Sequence, residues 1–461
     1  MTDAAANRFA PSELSEPDVS DAIARIAARD PELARGAADA YESMTWGEGP
    51  GVLRQAAVQE WLWYIVPTKY ITDEIGYMGR LAGAAAALFD EMGLYGYGAI
   101  CRSSETARVH AAFDRSGSEG IAALRQAMQR SGIVPPDVAG FAWSDVMGAQ
   151  EAAARSVVED TLERAISAGE LVVGGRGWRV SQAQVAAAGL DADHPVLPGQ
   201  SWRTVVITER LEQWVAAAQR RSEQLGAARA AVANRLLHPV EPPSGAADAL
   251  RPAMWLLAQF GDEQALTAAG YLTQSFVRAV QHERPWSYSI EPDRPPRSET
   301  DDVVLLELRE WLQQAGALRK RKGTLLRTAA GAEMAVDHSK AWDRLTRHLV
   351  PSGWDGFVCE TALLHLVNSA DEMLHDALCA RVESAAADMG WSATSGGEPL
   401  APSIHDVSWA LGGMSGVWRV CGLVTERDQW PNRRLVLTPT GVTAALTYLR
   451  HVGAGPRDSL W

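Results

Sequence analysis

DVVLLELREWLQQAGALRKRKGTLLRTAAGAEMA, the stretch from Asp302 to Ala335, is the part of the chain from which we predict its architecture. Its first part carries apolar residues at the spacing of one helix face. These residues are Val304, Leu308, Trp311, Leu312 and Ala315. Thr300 and Asp301 stand just ahead as candidate N-caps, and Gly316 follows, where a left-handed residue commonly ends a helix. The pattern therefore predicts a helix that ends at Gly316.

A β-hairpin and a further helix are predicted directly after Gly316. Lys322-Gly323 is a turn pair, and the short segments 317–321 and 324–328 on either side place leucines among polar neighbours. Thr328 precedes Ala-Ala-Gly331 and is a plausible cap of the next helix. The order helix, hairpin, helix resembles the second half of a winged-helix domain.

The wider series around this stretch is also similar to a known pattern. An LTAAGYL segment at 266–272 precedes the leucine-rich helix, the basic Lys-Gly hairpin and the Thr-x-x-Gly phrase that begins at Thr328. This series resembles that of uncharacterised actinobacterial proteins with winged-helix-like repeats. The resemblance implies an architecture and no activity.

The same unit recurs at the end of the chain. A helix is predicted over 407–420, and Gly422 ends it as Gly316 ends the central helix. Segments 423–425 and 435–437 form the predicted terminal hairpin, and Thr438 opens the last helix. We expect the tip of this hairpin to be longer than that of the central one.

A third copy is predicted earlier in the chain. Here a helix over 153–168 ends at Gly169, segments 171–173 and 178–180 flank a Gly-Gly-Arg-Gly turn, and Ser181 caps the next helix. Gly169 and Ser181 are as far apart in sequence as Gly316 and Thr328. Three unrelated helical hairpins are the alternative interpretation.

These patterns predict a mainly α fold, with helical bundles and two or three winged-helix-like units that contain short β-hairpins. The predicted domains are 1–45 (N-terminal tail and short helices), 46–198 (helical, ending in the early unit), 199–245 (a long connecting helix), 246–350 (the central unit) and 351–461 (helical, with the terminal unit).

A single long helix is expected over 209–237. Apolar residues recur there in alternating steps of three and four, close to a heptad seam, with Ser222 and Arg229 as polar interruptions. Packing within the molecule is the first interpretation of this seam. Self-association or contact with a protein partner through this helix is the alternative.

Composition limits the function classes. The formal net charge is −14, so any contact with nucleic acid must be made by local patches, because phosphate neutralisation supplies most non-specific affinity. The four cysteines are far apart and predict neither a zinc site nor a disulfide framework. The polar, acidic N-terminus and the lack of a long apolar run lead us to expect a cytoplasmic protein with no membrane span.

Basic residues on the predicted hairpins are the candidate nucleic-acid-binding residues. They are Arg319, Lys320, Arg321, Lys322 and Arg327 on the central hairpin and Arg427, Arg433 and Arg434 on the terminal one. In DNA-binding winged helices the hairpin contacts phosphates while the preceding helix enters the major groove. The central helix argues against base reading, because Glu307 and Glu310 flank its single Arg309.

No catalytic, metal or cofactor site is predicted. The chain has no GxSxG elbow, Walker loop, HExxH pair or zinc finger. Glu372 and His375 have the spacing of a carboxylate–histidine pair, but a second such pair is missing. We expect a non-enzymatic regulatory or adaptor protein that contacts DNA or a protein partner through its hairpins. The alternatives are a pure protein-interaction scaffold and an enzyme whose site is assembled from scattered residues.

Overall fold

The computed structural model describes residues 7, 10–70, 76–261, 263–286, 296–369, 371–395, 398–428 and 432–457. The rest of the predicted N-terminal tail, residues 1–6 and 8–9, lies outside this set. The chain is mainly helical, as predicted, and its described part has two small three-stranded antiparallel sheets and one two-stranded sheet. None of the described helices combines the length and the apolar character that a membrane crossing requires.

The chain divides into two compact units. The first unit comprises residues 1–206 and 456–461, and the second comprises 207–455. The helices of the first unit are α1 (Glu16–Ala27), α2 (Pro31–Thr45), α3 (Gln55–Glu60), α4 (Val66–Lys69), α5 (Tyr77–Glu91), α6 (Tyr95–Cys101), α7 (Ser104–Arg115), α8 (Gly117–Ser131), α9 (Ala149–Ser167) and α10 (Trp178–Asp191). One π-helical turn, Trp61–Ile65, joins α3 to α4. Helix α11 (Trp202–Gln219) contains the boundary between the two units.

The first unit has two separate apolar cores. One is built around Trp61, Leu62 and Phe89 and gathers side chains from α1 to α8. The other is smaller, and α9 and α10 contribute Val158 and Leu190 to it. Many of the buried side chains in the first core are alanines, so the helices there can approach each other closely.

The predicted early hairpin is wrong. The segment after α9 is a series of turns, and Trp178 begins α10 instead of a second strand. Gly177, with φ 73°, is the residue from which α10 starts. Leu171 is buried, but Val172 and Val180 are 56 % and 66 % exposed, so this segment has no continuous apolar face for a sheet to cover.

The predicted long helix over 209–237 is also wrong, because the chain breaks at Ser222. Helix α11 ends at Gln219, and α12 (Glu223–Ala233) begins after Ser222, whose side chain accepts a hydrogen bond from the backbone N–H of Leu225. The Ser222 hydroxyl also donates to Asp388 at 2.8 Å. A polar residue that looks like a gap in a heptad seam is therefore the cap of a new helix.

The second unit continues with two similar series of elements. The first series is α13 (Ala246–Gln259), β1 (Gln264–Ala265), α14 (Gln274–Glu283), α15 (Val303–Gln314), β2 (Leu318–Arg321), β3 (Thr324–Arg327), α16 (Ala329–Met334) and α17 (His338–Arg347). The second series is α18 (Gly353–Asn368), β4 (Met373–Leu374), α19 (His375–Met389), β5 (Ala393–Ser395), β6 (Glu398–Leu400), α20 (Ile404–Val420), β7 (Val424–Arg427), β8 (Arg434–Leu437) and α21 (Pro439–Ala454).

Each series has the same sheet topology. In the first, β1 lies between the first two helices in sequence and pairs with β3, which gives the order β1-β3-β2. In the second, β4 has the same position and the order is β4-β8-β7. The repeat therefore comprises helix, strand, two helices and a hairpin, which is more than the hairpin and flanking helices that the sequence suggested.

The predicted helix, hairpin and helix between Asp302 and Ala335 are confirmed as α15, β2–β3 and α16. The cap of α15 differs from the prediction. Thr300 and Asp301 form part of a short 3-10 turn, and the carboxylate of Asp302 accepts from the N–H of Leu305. Thr328 caps α16 as predicted, through a 3.0 Å bond from the N–H of Gly331.

One apolar core runs through the second unit and includes side chains of both series. Helix α15 of the first series packs against α20 of the second, and α17 packs against α21. Helices α15 and α20 occupy the same position in their series, immediately before a hairpin. Each of them therefore covers part of the other, which decides what surface remains available for binding.

Candidate nucleic-acid interface

The central hairpin, Leu318–Arg327, is a regular two-stranded ribbon. Leu318 pairs with Arg327 and Arg321 with Thr324, and the turn residues Lys322 and Gly323 have φ values of 47° and 79°. Two consecutive positive φ angles are those of the tight turn that matches the twist of a hairpin. The backbone therefore holds a row of basic residues in a fixed order along the two strands and the turn.

The five basic residues of the central hairpin carry charges that no described acidic group compensates. Arg319, Lys320, Arg321 and Lys322 are exposed, and Arg327 is half-buried. Because side chains alternate along a strand, Arg319 and Arg321 share one face, while Lys322 occupies the turn. Within the described residues, none of the five forms an ion pair. The hairpin is thus a concentrated positive patch in a chain of net charge −14.

Lys320 lies on the opposite face of the ribbon from Arg319 and Arg321. Its ammonium group is so close to Gly270 that a Cβ at that glycine would collide with it. Gly270 belongs to a turn in which its own N–H bonds to the carbonyl of Thr267 at 2.8 Å. The side chain of Lys320 therefore lies along the protein surface, and its charge is located beside the turn that contains Gly270.

The terminal hairpin, Val424–Leu437, differs because its three predicted arginines are paired with acids. Arg427 binds Glu372 at 2.5 Å, and Arg434 lies 3.6 Å from Asp428. Arg433 pairs with Glu426, which also pairs with Arg419 of α20. The structure therefore separates the eight predicted binding residues into an uncompensated group of five and a neutralised group of three.

Helix α15 is unsuited to reading bases. Its single arginine, Arg309, is 5 % exposed and binds the fully buried Glu299 at 2.5 Å. The polar side chains that α15 leaves exposed are Glu310 and Gln314. The helix also packs against α20, so it has no free basic face that could enter a major groove.

An acidic cleft of about 170 Å³, which was not predicted from the sequence, lies beside the α15–α20 contact. Glu307, Glu310 and Asp355 contribute carboxylates, and Trp409 contributes an indole ring. The carboxylate of Glu307 lies over Gly413. Burial, followed by the negative charges of Glu310 and Asp355, raises the pKa of Glu307 to about 7. Trp409 fits the apolar spacing of α20 in sequence, yet it is 80 % exposed.

Other candidate residues are not brought together into a site. No group of three or more histidine, cysteine or acidic residues in the described part of the chain is arranged to hold a metal ion. Glu372 is engaged by Arg427, and His375 lies beside Cys379, in a buried position. Arg179, from the early segment, packs its guanidinium over the ring of Trp178, 4.5 Å from its centre.

The chain has no counterpart in the comparisons with known proteins: no family model, curated protein or solved structure matches it. The geometry of the two hairpins and of the surfaces around α15 and α20 is therefore the basis on which function is inferred.

Proposed function

We propose that the protein is a regulatory or adaptor protein that contacts nucleic acid through the central hairpin. The observation that carries this proposal is the uncompensated charge of Arg319, Lys320, Arg321, Lys322 and Arg327. Positive side chains without an acidic partner are those that gain most from a phosphate, because binding then releases counterions from the nucleic acid without first breaking an ion pair.

The repeated topology supports the same proposal. A strand between the first two helices that pairs with the hairpin after the third helix is the arrangement of a winged-helix unit, and the second unit of this chain has it twice. We interpret each series as a winged-helix-like unit. The central and terminal hairpins are the wings, and α15 and α20 are the helices that precede them.

The burial of α15 determines the mode of contact. A winged helix that reads sequence does so with the helix before the wing, and here that helix packs against its counterpart. Contact through the wing alone reaches phosphates and sugars, which position a protein without specifying bases. We therefore expect weak binding with little sequence preference, in the range of roughly 10⁻⁴–10⁻⁶ M that is typical of non-specific contacts at physiological salt.

The test is a titration of fluorescently labelled duplex DNA, followed by anisotropy between about 50 and about 200 mM salt. The slope of log affinity against log salt should be roughly −4, since each phosphate contact contributes about −0.9. The variant R319Q/K320Q/R321Q/K322Q should lose most of the affinity and most of the slope. The Arg327 side chain is left in place because it is half-buried.

A matched control keeps the same charge change without touching the hairpin. Arg35, Arg125, Arg251 and Arg381 are exposed and scattered over different helices, and none forms an ion pair with a described residue. R35Q/R125Q/R251Q/R381Q should bind almost as the wild type does. An equal loss in both quadruple variants would mean that net charge and not the hairpin governs binding. Absence of binding by the wild type at the lowest salt would overturn the proposal.

A protein-interaction scaffold is the second candidate function, and Trp409 favours it. A tryptophan that is 80 % exposed beside a group of carboxylates is typical of residues that become buried against a protein partner. W409A should then abolish capture of a partner while leaving the anisotropy titration unchanged. If W409A and the wild type retain the same set of proteins, this second candidate fails.

A further inference from the structure

The first unit contains a cleft of about 990 Å³ that the proposed function does not use. Its walls come from residues 7 and 10–12, from the segment before α3, from α6 and from the face of α9 that carries Asp160, Glu163 and Arg164. The volume lies at the upper end of the roughly 300–1,000 Å³ that small-molecule sites occupy. The cleft is therefore large enough for a metabolite or a short peptide.

Two hydrogen bonds hold the carboxylate of Glu163 in the cleft. One of its carboxylate oxygens accepts from the hydroxyl of the buried Tyr97 at 2.6 Å, and the other accepts from the backbone N–H of Gln55 at 2.7 Å. Two donors from separate elements fix the carboxylate in one orientation before any ligand arrives. Burial raises the pKa of Glu163, which indicates that these two bonds compensate its desolvation only in part.

Asp160 lies one helical turn before Glu163 and lines the same wall. Residues three apart on a helix face the same side, so the two acids of α9 present a shared negative surface to the cleft. In the described residues, Asp160 takes part in no ion pair. The wall therefore offers acceptors to a ligand that carries an ammonium group.

Two arginines supply opposite charges in the same cleft, and of these Arg164 is exposed one turn after Asp160, whereas Arg54 is half-buried. Arg54 is the one that lacks a partner within the described residues. Its Nε atom is enclosed by the protein and has no hydrogen-bond acceptor. Burial raises the pKa of Asp160 and of Glu163, and the positive charge of Arg54 opposes that rise in both. No described acidic group lies within ion-pair distance of its guanidinium. A half-buried guanidinium without an ion-pair partner is unfavourable, because its lost hydration is not replaced by bonds to the protein. An anionic group in the cleft would offset that cost.

The separation of these charges indicates the class of ligand. If Arg54 formed a close ion pair with either acid, the charges of the cleft would neutralise each other and would attract a charged ligand only weakly. A purely cationic ligand would leave Arg54 without a partner, and a purely anionic one would face the two acids of α9. We propose that this cleft binds a small zwitterion of the amino-acid or short-peptide class, with its carboxylate on Arg54 and its ammonium group on Asp160 and Glu163.

Binding is tested by calorimetry at low salt with the twenty standard amino acids and with di-, tri- and tetra-alanine. Each ligand that binds is compared with its N-acetylated form and its C-terminal amide. Either modification removes one charge and should weaken binding about tenfold, equivalent to about 1.4 kcal/mol. If no member of the panel binds with a Kd below about 1 mM, the proposal is overturned.

The variants assign each charge to its partner. Arg54→Gln should bind the free ligand and its amide equally, because the group that distinguishes them is gone. Asp160→Asn should likewise lose most of the preference for the free ligand over the acetylated one. Such a pair of changes forms a thermodynamic cycle in which only interacting groups are non-additive. Retention of both preferences by both variants would overturn the assignment.

Two controls separate these effects from loss of structure. Arg125→Gln on α8 and Asp114→Asn on α7 change the same charges at exposed positions outside the cleft, and should bind like the wild type. Circular dichroism and the thermal midpoint show whether each variant is folded. If Arg54→Gln does not fold, Asp160→Asn still decides the question, because Asp160 lies on an exposed part of α9. DNA titration of the same variants tests the hairpin independently.

Discussion

The hydroxyl of Thr328 donates a hydrogen bond to the carbonyl oxygen of Gly316 at 2.6 Å, across the base of the central hairpin. The same hydroxyl accepts from the N–H of Gly331, so one side chain joins the end of α15 to the start of α16. In the second series Thr438 donates to Gly422 at 2.7 Å and accepts from Gly441 at 3.0 Å. A threonine therefore closes each hairpin in the same way.

Thr328→Ala and Thr438→Ala should each lower the free energy of unfolding of the protein by about 1–2 kcal/mol, because each removes a helix cap and a bond across the hairpin base. Urea denaturation followed by circular dichroism measures the change, and Thr328→Ser should recover most of it. Thr443→Ala is the control, since that hydroxyl bonds only to Pro439 in its own helix. A loss in the control as large as in the two variants would contradict the interpretation.

Gly331→Ala and Gly441→Ala should destabilise more strongly, by roughly 2–4 kcal/mol. A Cβ at either position would collide with a backbone carbonyl, that of Ala317 or of Leu423. Backbone atoms cannot move aside as the end of a side chain can. Gly412→Ala, at an open and exposed position of α20, should instead be neutral or stabilise the protein by up to about 1 kcal/mol. Thermal midpoints that rank the three variants differently would refute this account.

Neutralising the two hairpins should have different effects on DNA affinity, although the change in charge is equal. R319Q/K320Q/R321Q should lower the salt slope by roughly three. R427Q/R433Q/R434Q should lower it by less than about one, since those arginines already neutralise Glu372, Glu426 and Asp428. Anisotropy titrations of the two triple variants at matched salt decide the point. Equal slopes would show that the ion pairs of the terminal hairpin open on binding.

The stability of the protein should fall as the pH rises from about 4.5 to about 7, in part because of Glu307. Its pKa is raised in the folded chain from 4.5 to about 7, so over this interval the folded state holds a proton that the unfolded state has lost. Glu307→Gln should remove this dependence and stabilise the protein at pH 8 by roughly 1–2 kcal/mol. Urea denaturation at several pH values measures it. Glu212 of α11, which is exposed and lies outside this cleft, serves as the control, and Glu212→Gln should leave the slope unchanged.

The sequence predicted the two later hairpins because their local chemistry is complete. Each has a glycine with positive φ after a helix and a capping threonine after the second strand, and the central one adds a Lys-Gly turn. The early segment has a similar glycine and a similar turn, but there the last glycine starts α10 directly. The difference depends on which face of the chain is covered by other elements, and local patterns do not contain that information.

The break at Ser222 shows the same limit. In sequence, Ser222 and Gly226 are both compatible with one continuous helix. Only the packing of the folded chain shows that the helix is interrupted there. Gly226 lies so close to the backbone of Gln219 that a Cβ there would collide with it, which is possible only because α12 turns back on the end of α11. The strands β1 and β4 were also not predicted, because two-residue strands leave no periodicity to detect.

The candidate sites were predictable to different degrees. The cluster of Arg319–Lys322 is contiguous in sequence, so its basic character is visible directly, whereas its lack of acidic partners is a property of the folded chain. Arg54 and Glu163 are more than a hundred residues apart, and no spacing rule connects them. The sequence does not predict that Trp409 is exposed, because its position in α20 continues the apolar face of that helix. Its exposure results from the fact that α15 covers only part of α20.

The contact between α15 and α20 has a consequence for how this molecule can be divided experimentally. Each series covers part of the apolar core of the other. A fragment that ends near Val350 would therefore expose the apolar side of α15 to water. The two series therefore have to be expressed together. We expect any shorter fragment to precipitate or to self-associate through the exposed apolar surface.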